Sequence, residues 1–381
     1  MHAYHSQKRA VFIGMHVAVM CLAGIVSAAA QIKPPLAEDV FKNIQVLKGI
    51  PVDEFMNTMG FFAASLSLNC TTCHGVESAG NVARFSDDTP LKQTARKMIV
   101  MVRAINQANF AGMRMVTCYT CHRGGEQPEV TPSLAEQYGA PAPDDPDKVE
   151  IPEQPSAGSS PDQVFNKYIQ ALGGAQQLGK LTSFVAKGTY EGYDTDRDKV
   201  PVEVFAEAPD QRAMIVHVPD GDKVTTYDGR NAWIAEPATP APLMALTGGN
   251  LEGAKIDAML TFPVRAKETR SQWRRGTTTI DDHAVDVLEG FGTGQFPLKL
   301  YFDNKSGLLV RMVRYANTLV GQVITQVDYG DYRTVAGVMV PFKWTVTWVD
   351  GQSTTELSEV QPNAPIDAAK FGKPAVPANP Q

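Results

Sequence analysis

The chain has 381 residues, of which 43% are hydrophobic and 20% are charged, and its formal net charge is −6 at pH 7. This length and composition indicate about two globular domains, each with an apolar core. The acidic balance excludes the basic surface that is typical of nucleic-acid-binding proteins.

Residues 1–30 are typical of a secretory signal peptide. Lys8 and Arg9 give a positively charged start, and the apolar run over residues 11–26 has the length of a signal rather than of a membrane span. Small residues at 27–30 provide a cleavage site. The sequence therefore predicts an exported, periplasmic protein that is soluble or peripheral to the membrane.

One cysteine, Cys21, lies inside this signal segment. A lipoprotein signal would need a small residue just before the cysteine, and Met20 is not small. Removal of Cys21 with the signal is therefore favoured over lipid anchoring.

Two amphipathic helices are predicted in the region that follows, residues 31–125. The first spans about 52–66 and carries acidic residues in its first turn, where they stabilise the helix dipole. The second begins at Thr89, a helix cap followed by Pro90 at the first helical position. Each helix carries two methionines three residues apart, and these are Met56 with Met59 and Met98 with Met101.

Each helix is followed by the pentapeptide Cys-x-x-Cys-His, at residues 70–74 and 118–122. This spacing is the attachment signature of c-type haem, in which two thiols form thioether bonds to the porphyrin and the adjacent histidine binds the iron. The sequence therefore predicts two haem c groups, each with an iron. The covalent attachments would be Cys70, Cys73, Cys118 and Cys121, and the proximal iron ligands would be His74 and His122.

Two other interpretations of the cysteine pairs are open. Both pairs could bind one structural zinc ion, or each could form a local disulfide. Zinc ribbons usually space their pairs closely, whereas these pairs lie far apart in the sequence. Neither interpretation explains why a histidine follows both pairs, so haem is favoured.

A haem iron bound by histidine on one side needs a second axial ligand for electron transfer, and methionine there raises the potential. Between residues 31 and 160 the sequence has no histidine besides His74 and His122. Ligation by two histidines within this region is therefore disfavoured. Flexible methionines also fill gaps in cores, which is the alternative interpretation of the two Met pairs.

Residues 47–125 resemble the multihaem cytochrome c subunit of photosynthetic reaction centres. The residues that carry the resemblance are segments 55–59 and 70–74, and then segments 95–106 and 116–124. In that family a helix packs on each haem and donates a methionine to the iron. The resemblance implies Met56 and Met98 as the distal ligands, with Met59 and Met101 as alternatives.

The chain also departs from that family. Full-length members carry four haems, and one iron takes a distal histidine from the loop before the second motif. Here the corresponding loop, residues 107–117, contains no histidine, and the sequence has only two motifs. The resemblance is therefore to half of the family's cytochrome, followed by a different domain.

Residues 126–160 are rich in proline and acidic residues, which predicts an extended linker. A second domain is predicted over 161–373, with a short tail at 374–381. It opens with a helix that ends at Gly173-Gly174, and residues 243–260 predict an interrupted helix. The alternation of apolar and polar residues predicts strands at 183–190, 201–207, 211–218, 272–280, 284–291, 298–303, 308–315, 322–329 and 343–349.

This second domain resembles, more weakly, the periplasmic lipoprotein carriers, whose fold is a half-open β-barrel closed by a helix. The resemblance rests on the residues at 171–174, 227–233 and 300–309. It implies a concave apolar surface that holds an acyl chain or a protein partner. The fold class predicted for the whole chain is a mainly α dihaem cytochrome c domain followed by an antiparallel β half-barrel with one or two helices.

The predicted function is that of an exported dihaem cytochrome, which passes electrons between a redox protein donor and an acceptor, membrane-bound or not. No catalytic residue is predicted, because Asp281, Asp282 and His283 are typical of a surface turn. Two other classes of function stay open. One is a haem enzyme of the peroxidase type, which needs an open sixth position. The other is a binding or assembly protein that contains haem and uses the β domain to hold an apolar ligand or a partner.

Overall fold

The computed structural model describes residues 33–134, 139, 151 and 158–377. The predicted signal peptide and most of the predicted linker lie outside the described residues.

The described chain begins with a helical region. The helix over Val52–Leu66 stops before Ser67, whose φ of 52° is left-handed. The helix over Pro90–Asn109 begins where the sequence predicts, because the Thr89 side chain accepts a hydrogen bond from the Lys92 amide and Pro90 is the first helical residue. The helices are α1 (Ala37–Val40), α2 (Val52–Leu66), α3 (Cys70–His74), α4 (Pro90–Asn109) and α5 (Cys118–His122), with 3₁₀ turns at Val76–Ser78 and Val82–Ser86.

A large antiparallel sheet follows. The strands are β1 (Ser183–Gly192), β2 (Val200–Glu207), β3 (Gln211–Val218), β4 (Gly221–Tyr227), β5 (Ala232–Ala235), β6 (Leu243–Ala245), β7 (Gln272–Ile280), β8 (His283–Phe291), β9 (Leu298–Asp303), β10 (Leu309–Asn317), β11 (Gln322–Val335), β12 (Val338–Trp348) and β13 (Gly351–Pro362). Within the described residues they form one sheet in the order β6-β5-β4-β3-β2-β1-β13-β12-β11-β10-β9-β8-β7. The sheet is open, with β6 and β7 as its edges.

Three helices accompany this sheet. They are α6 (Pro161–Ala171), α7 (Ala175–Leu178) and α8 (Gly248–Thr261), with 3₁₀ segments at Tyr193–Thr195, Pro263–Thr269 and Ala368–Phe371. The predicted pattern of a helical region followed by an antiparallel sheet is therefore confirmed. The half-barrel takes the form of an open, strongly extended sheet.

Of the four strands that were not predicted, β5 and β6 are short, and β4 and β13 are largely polar. Strands β4 and β13 consist largely of Thr, Ser, Gln, Glu, Asp and Lys, so they show little apolar alternation. Hydrogen bonds to neighbouring strands hold them in the sheet, since β13 lies between β1 and β12. The interrupted helix predicted at 243–260 is wrong at its start, because β6 occupies Leu243–Ala245 before α8 begins.

Helices α6 and α8 pack on the apolar face of the sheet. Val164, Phe165 and Tyr168 of α6 and Ile256 of α8 belong to the main buried cluster. The Phe165 ring lies 5.0 Å from the Trp273 ring, centroid to centroid. Side chains of these helices cover this face of the sheet. The concave surface for an acyl chain therefore stays a prediction from the resemblance.

A second apolar cluster joins the helical region to the sheet. Phe61 of α2 and Ile99 of α4 pack with Ala316, Val320 and Val323, which come from β10, β11 and the turn between them. The described residues from Pro34 onward accordingly belong to a single compact unit. The two predicted domains are therefore in direct contact through this cluster.

Candidate haem-binding site

Each Cys-x-x-Cys-His motif folds as a single helical turn. In α3 the Asn69 side chain caps the turn, since its Oδ1 accepts hydrogen bonds from the Thr72 amide at 2.9 Å and the Thr71 hydroxyl at 2.9 Å. In α5 Thr117 holds the capping position. A helical turn brings residues three apart to one face, so each motif presents its two thiols together.

The chain reverses direction just after each motif. Gly75, which follows His74, has φ of 87°, and Gly124, two residues after His122, has φ of 84°. These angles favour glycine because side chains with a Cβ are strained there. The turns let the following backbone fold back over each histidine.

Both histidine rings are oriented by backbone carbonyls. The Nδ1 of His74 donates to the Phe85 carbonyl at 3.0 Å, and the Nδ1 of His122 lies 3.1 Å from the carbonyls of Gly125 and Glu126. Because a carbonyl only accepts hydrogen bonds, each Nδ1 carries the proton and each Nε2 keeps its lone pair for a metal. Iron-binding histidines are usually held in this way.

Burial shifts the pKa values of three side chains in the motifs. Burial lowers the pKa of His74, which favours the neutral imidazole that binds iron. Burial raises the pKa of Cys73, and it raises the pKa of Cys118 to about 11, so both side chains are neutral thiols near pH 7. All four motif cysteines are free.

Each motif, or the turn just after it, is hydrogen-bonded to the long helix that precedes the other motif. The Thr89 hydroxyl at the start of α4 donates to the Cys73 carbonyl at 2.5 Å. At the end of α2, the Ser65 carbonyl accepts a hydrogen bond from the Gly124 amide at 3.0 Å. The two helix–loop–motif repeats therefore interlock, an arrangement that their sequence similarity alone does not predict.

The candidate distal methionines lie on the helices that were predicted to carry them. Met56 and Met98 are both half-buried, on α2 and α4. Met59 packs against the apolar cluster shared with the sheet, whereas Met101 is 44% exposed. Met59 therefore has a packing role in the core, and Met56 as a distal ligand stays a prediction.

A buried asparagine holds the loop before the second motif, a residue to which the sequence analysis gave no role. Asn106 of α4 is 6% exposed. Its side chain donates to the Val116 carbonyl at 2.7 Å and accepts from the amides of Met115 and Val116 at 3.1 and 2.9 Å. A polar residue on the buried face of an amphipathic helix was the signal that could have identified it.

Several large hydrophobic side chains close to the motifs in sequence are exposed to solvent. Most of the large hydrophobic side chains that are exposed among the described residues lie in the helical region, and those nearest the motifs in sequence are Val76, Leu91, Val100, Met101, Met113, Met115 and Tyr119. Exposed apolar side chains of this kind lose their contact with water when a ligand or a partner covers them. A porphyrin is large and apolar, so the residues present fit a haem at each motif.

The two other interpretations of the cysteines fit less well. A structural zinc would need both pairs in one cluster, and no group of three or more His, Cys, Asp or Glu side chains suited to a metal ion occurs in the part of the chain that the structure describes. Cys70 and Cys73 stay free thiols, as do Cys118 and Cys121.

Comparison with known proteins finds the family that residues 47–125 resemble. Residues 16–173 match the family model described as photosynthetic reaction centre cytochrome C subunit. The resemblance is confirmed. It supports a c-type cytochrome role for this part of the chain.

Curated relatives match about a quarter to a third of the chain. The photosynthetic reaction center cytochrome c subunit of Thermochromatium tepidum is 38% identical over 131 residues, which are 33% of this chain and 30% of the relative. The subunit of that name from Roseobacter denitrificans is 34% identical over 101 residues, 24% of this chain and 26% of the relative. The chain thus spans less than a third of the length of these relatives.

Solved structures resemble the chain over a larger share. A LolA superfamily protein from Nitrosomonas europaea has 15% sequence identity and a TM-score of 0.38, covering 57% of this chain and 99% of that one. A putative outer membrane lipoprotein-sorting protein domain from Vibrio parahaemolyticus has 12% identity and a TM-score of 0.36, covering 55% and 97%.

In the described ranges, no helix has both the length and the apolar character needed to cross a membrane.

Proposed function

We propose that the chain is a dihaem c-type cytochrome that transfers electrons and catalyses no reaction of its own. The observation that carries the proposal is the pair of capped Cys-x-x-Cys-His turns, each with its histidine Nδ1 held by a backbone carbonyl. Haem c supplies an iron that gains and loses one electron. The motif thiols anchor it covalently at Cys70, Cys73, Cys118 and Cys121.

The residues on the two sides of each iron have separate tasks. His74 and His122 present their Nε2 atoms as proximal ligands, and the carbonyls on Nδ1 fix the plane of each ring. Met56 and Met98 would supply thioether sulfurs as the distal ligands of the two irons. Such ligation would favour electron transfer over peroxidase chemistry.

The proposed setting is the periplasm. Residues 1–30 would direct export. Electrons would pass between a redox donor and an acceptor. The matched relatives are named as subunits of a photosynthetic reaction center, so a reaction centre is one candidate partner. The β domain would act as a docking module. Its large sheet, packed directly on the helical region, provides a rigid surface for a partner.

Methionine variants test the ligand assignment. In the wild-type ferric protein we expect a near-infrared absorption band from sulfur bound to iron, contributed by both haems. Met56→Ala and Met98→Ala should each remove about half of this band and lower the midpoint potential of one haem, because thioether ligands raise it.

Met59→Ala and Met101→Ala are the matched controls. Each removes a methionine on the same helix one turn further on, and we expect the band to keep its full amplitude. Loss of the band in a control but not in its partner variant would reassign that ligand to the second methionine of the pair.

A further inference from the structure

A buried carboxylate connects the helix of the first haem to the β domain. Asp53 lies in the first turn of α2 and is 3% exposed. Its oxygens accept hydrogen bonds from the Thr247 amide at 2.7 Å, the Thr247 hydroxyl at 2.8 Å and the Asn250 side-chain amide at 2.9 Å. Burial of a carboxylate without hydrogen-bond partners is energetically costly, so the positions of Asp53, Thr247 and Asn250 relative to one another are constrained.

The same asparagine reaches a second residue of α2. The Asn57 side chain donates to Oδ1 of Asn250 at 2.9 Å. Asp53 and Asn57 are four residues apart and therefore lie on one face of the helix. Thr247 immediately precedes α8 and Asn250 belongs to its first turn, so residues at the start of α8 contact two successive turns of α2.

The face of α2 that carries these contacts continues along the helix. Phe61 lies against Gly321 in the turn between β10 and β11. With 3.6 residues per turn, Asp53, Asn57 and Phe61 point toward the β domain, and Met56 lies at the edge of that face. Any rotation of α2 about its axis would break the hydrogen bonds of Asp53 and would move Met56.

We propose that Asp53, held by Thr247 and Asn250 of the β domain, is the positioning residue for the distal ligand of the first haem. This inference rests on the proposed function, in which Met56 is that ligand. Apolar packing around Phe61 is not directional and tolerates small rotations of the helix. The hydrogen bonds of a buried carboxylate are directional, and they fix the rotation that presents the Met56 sulfur.

The test changes the β-domain side of the contact and leaves α2 untouched. Asn250→Asp places a second carboxylate against Asp53, and Thr247→Val removes only the hydroxyl. Thr247→Ser keeps both donors and is the matched control. We would measure the near-infrared band, the two midpoint potentials, and the affinity for added imidazole, which competes with a weakly held methionine, in the haem-loaded full chain.

In Asn250→Asp we expect about half of the band to disappear. Imidazole should bind one haem about tenfold more tightly, because a displaced Met56 sulfur competes less well for the iron; the factor is the lower end of the effect that outer-residue mutations have at metal sites. Thr247→Val should show the same changes to a smaller extent, and Thr247→Ser should match the wild type. The potential of the second haem should stay constant in every variant.

Two results would overturn this inference. If Asn250→Asp and Thr247→Val lower only the unfolding temperature, while band, potentials and imidazole affinity stay at wild-type values, Asp53 has a structural role alone. A wild-type protein that lacks the band would instead refute the methionine assignment in the proposed function, and this inference with it.

Discussion

The double variant Cys118→Ala/Cys121→Ala should carry one covalently bound haem per chain, where the wild type carries two. Both thioether bonds of the second haem are lost, and a haem held only by axial ligands would wash out on denaturation. The measurement is the haem-to-protein ratio of denatured, purified protein, after production in a periplasm equipped for cytochrome c maturation.

The reciprocal variant, Cys70→Ala/Cys73→Ala, should also give one haem, as expected if the two motifs are equivalent. Cys21→Ala is the control outside the motifs and should keep both haems, because Cys21 lies in the predicted signal peptide. A double variant that still binds two haems covalently, or a wild type that binds one, would contradict the assignment.

Phe61→Ala should destabilise the protein strongly at the contact between the helical region and the sheet. Phe61 is 8% exposed and packs in a cluster with Ile99, Val320 and Val323. Truncation of a buried phenylalanine costs about 3–5 kcal/mol in the free energy of unfolding. Denaturant unfolding of the haem-loaded protein, compared with the wild type, measures the loss.

A second substitution tests whether the Phe61 ring stabilises the protein by its contact with the turn between β10 and β11. A Cβ added at Gly321 would overlap the Phe61 ring, so Gly321→Ala alone should destabilise the protein. In the Phe61→Ala background the same change should cost much less, because the ring that it strikes is gone.

Gly330→Ala in strand β11 is the matched control, since a Cβ there meets nothing within 4 Å. It should leave the free energy of unfolding nearly unchanged. Equal costs for Gly321→Ala with and without Phe61 would mean that the ring and the turn do not act on each other.

Local signals predicted the helical region well. The bounds of α2 and the start of α4 follow from acidic first-turn residues, a threonine cap and a proline, which act within a few residues of the helix end. The two motifs are also local, so the spacing of their cysteines and histidines is enough to identify them.

Contacts between residues far apart in the chain could not be predicted from the sequence. Nothing near Asp53 in the chain shows that Thr247 and Asn250 will surround its carboxylate, because a charged first-turn residue is explained equally well by the helix dipole. Strand β13 was missed for a related reason. Its polar residues become a strand only because β1 and β12 lie on either side of it.

The two methionines of α2 also differ only in a long-range contact. Their spacing on the helix makes Met56 and Met59 equal candidates for the distal ligand, and the observed difference is that Met59 packs against the cluster shared with the sheet. On α4 the resemblance to reaction-centre cytochromes names Met98, and the Met98 and Met101 variants test it.

A redox titration of the matured wild-type protein, followed by absorption spectroscopy with quantified haem, tests whether the chain is a dihaem cytochrome with methionine-bound irons. We expect two covalently bound haems per chain, both low-spin, with a near-infrared sulfur-to-iron band in the ferric state and two one-electron steps. One haem per chain, or a high-spin ferric spectrum without that band, would contradict this expectation.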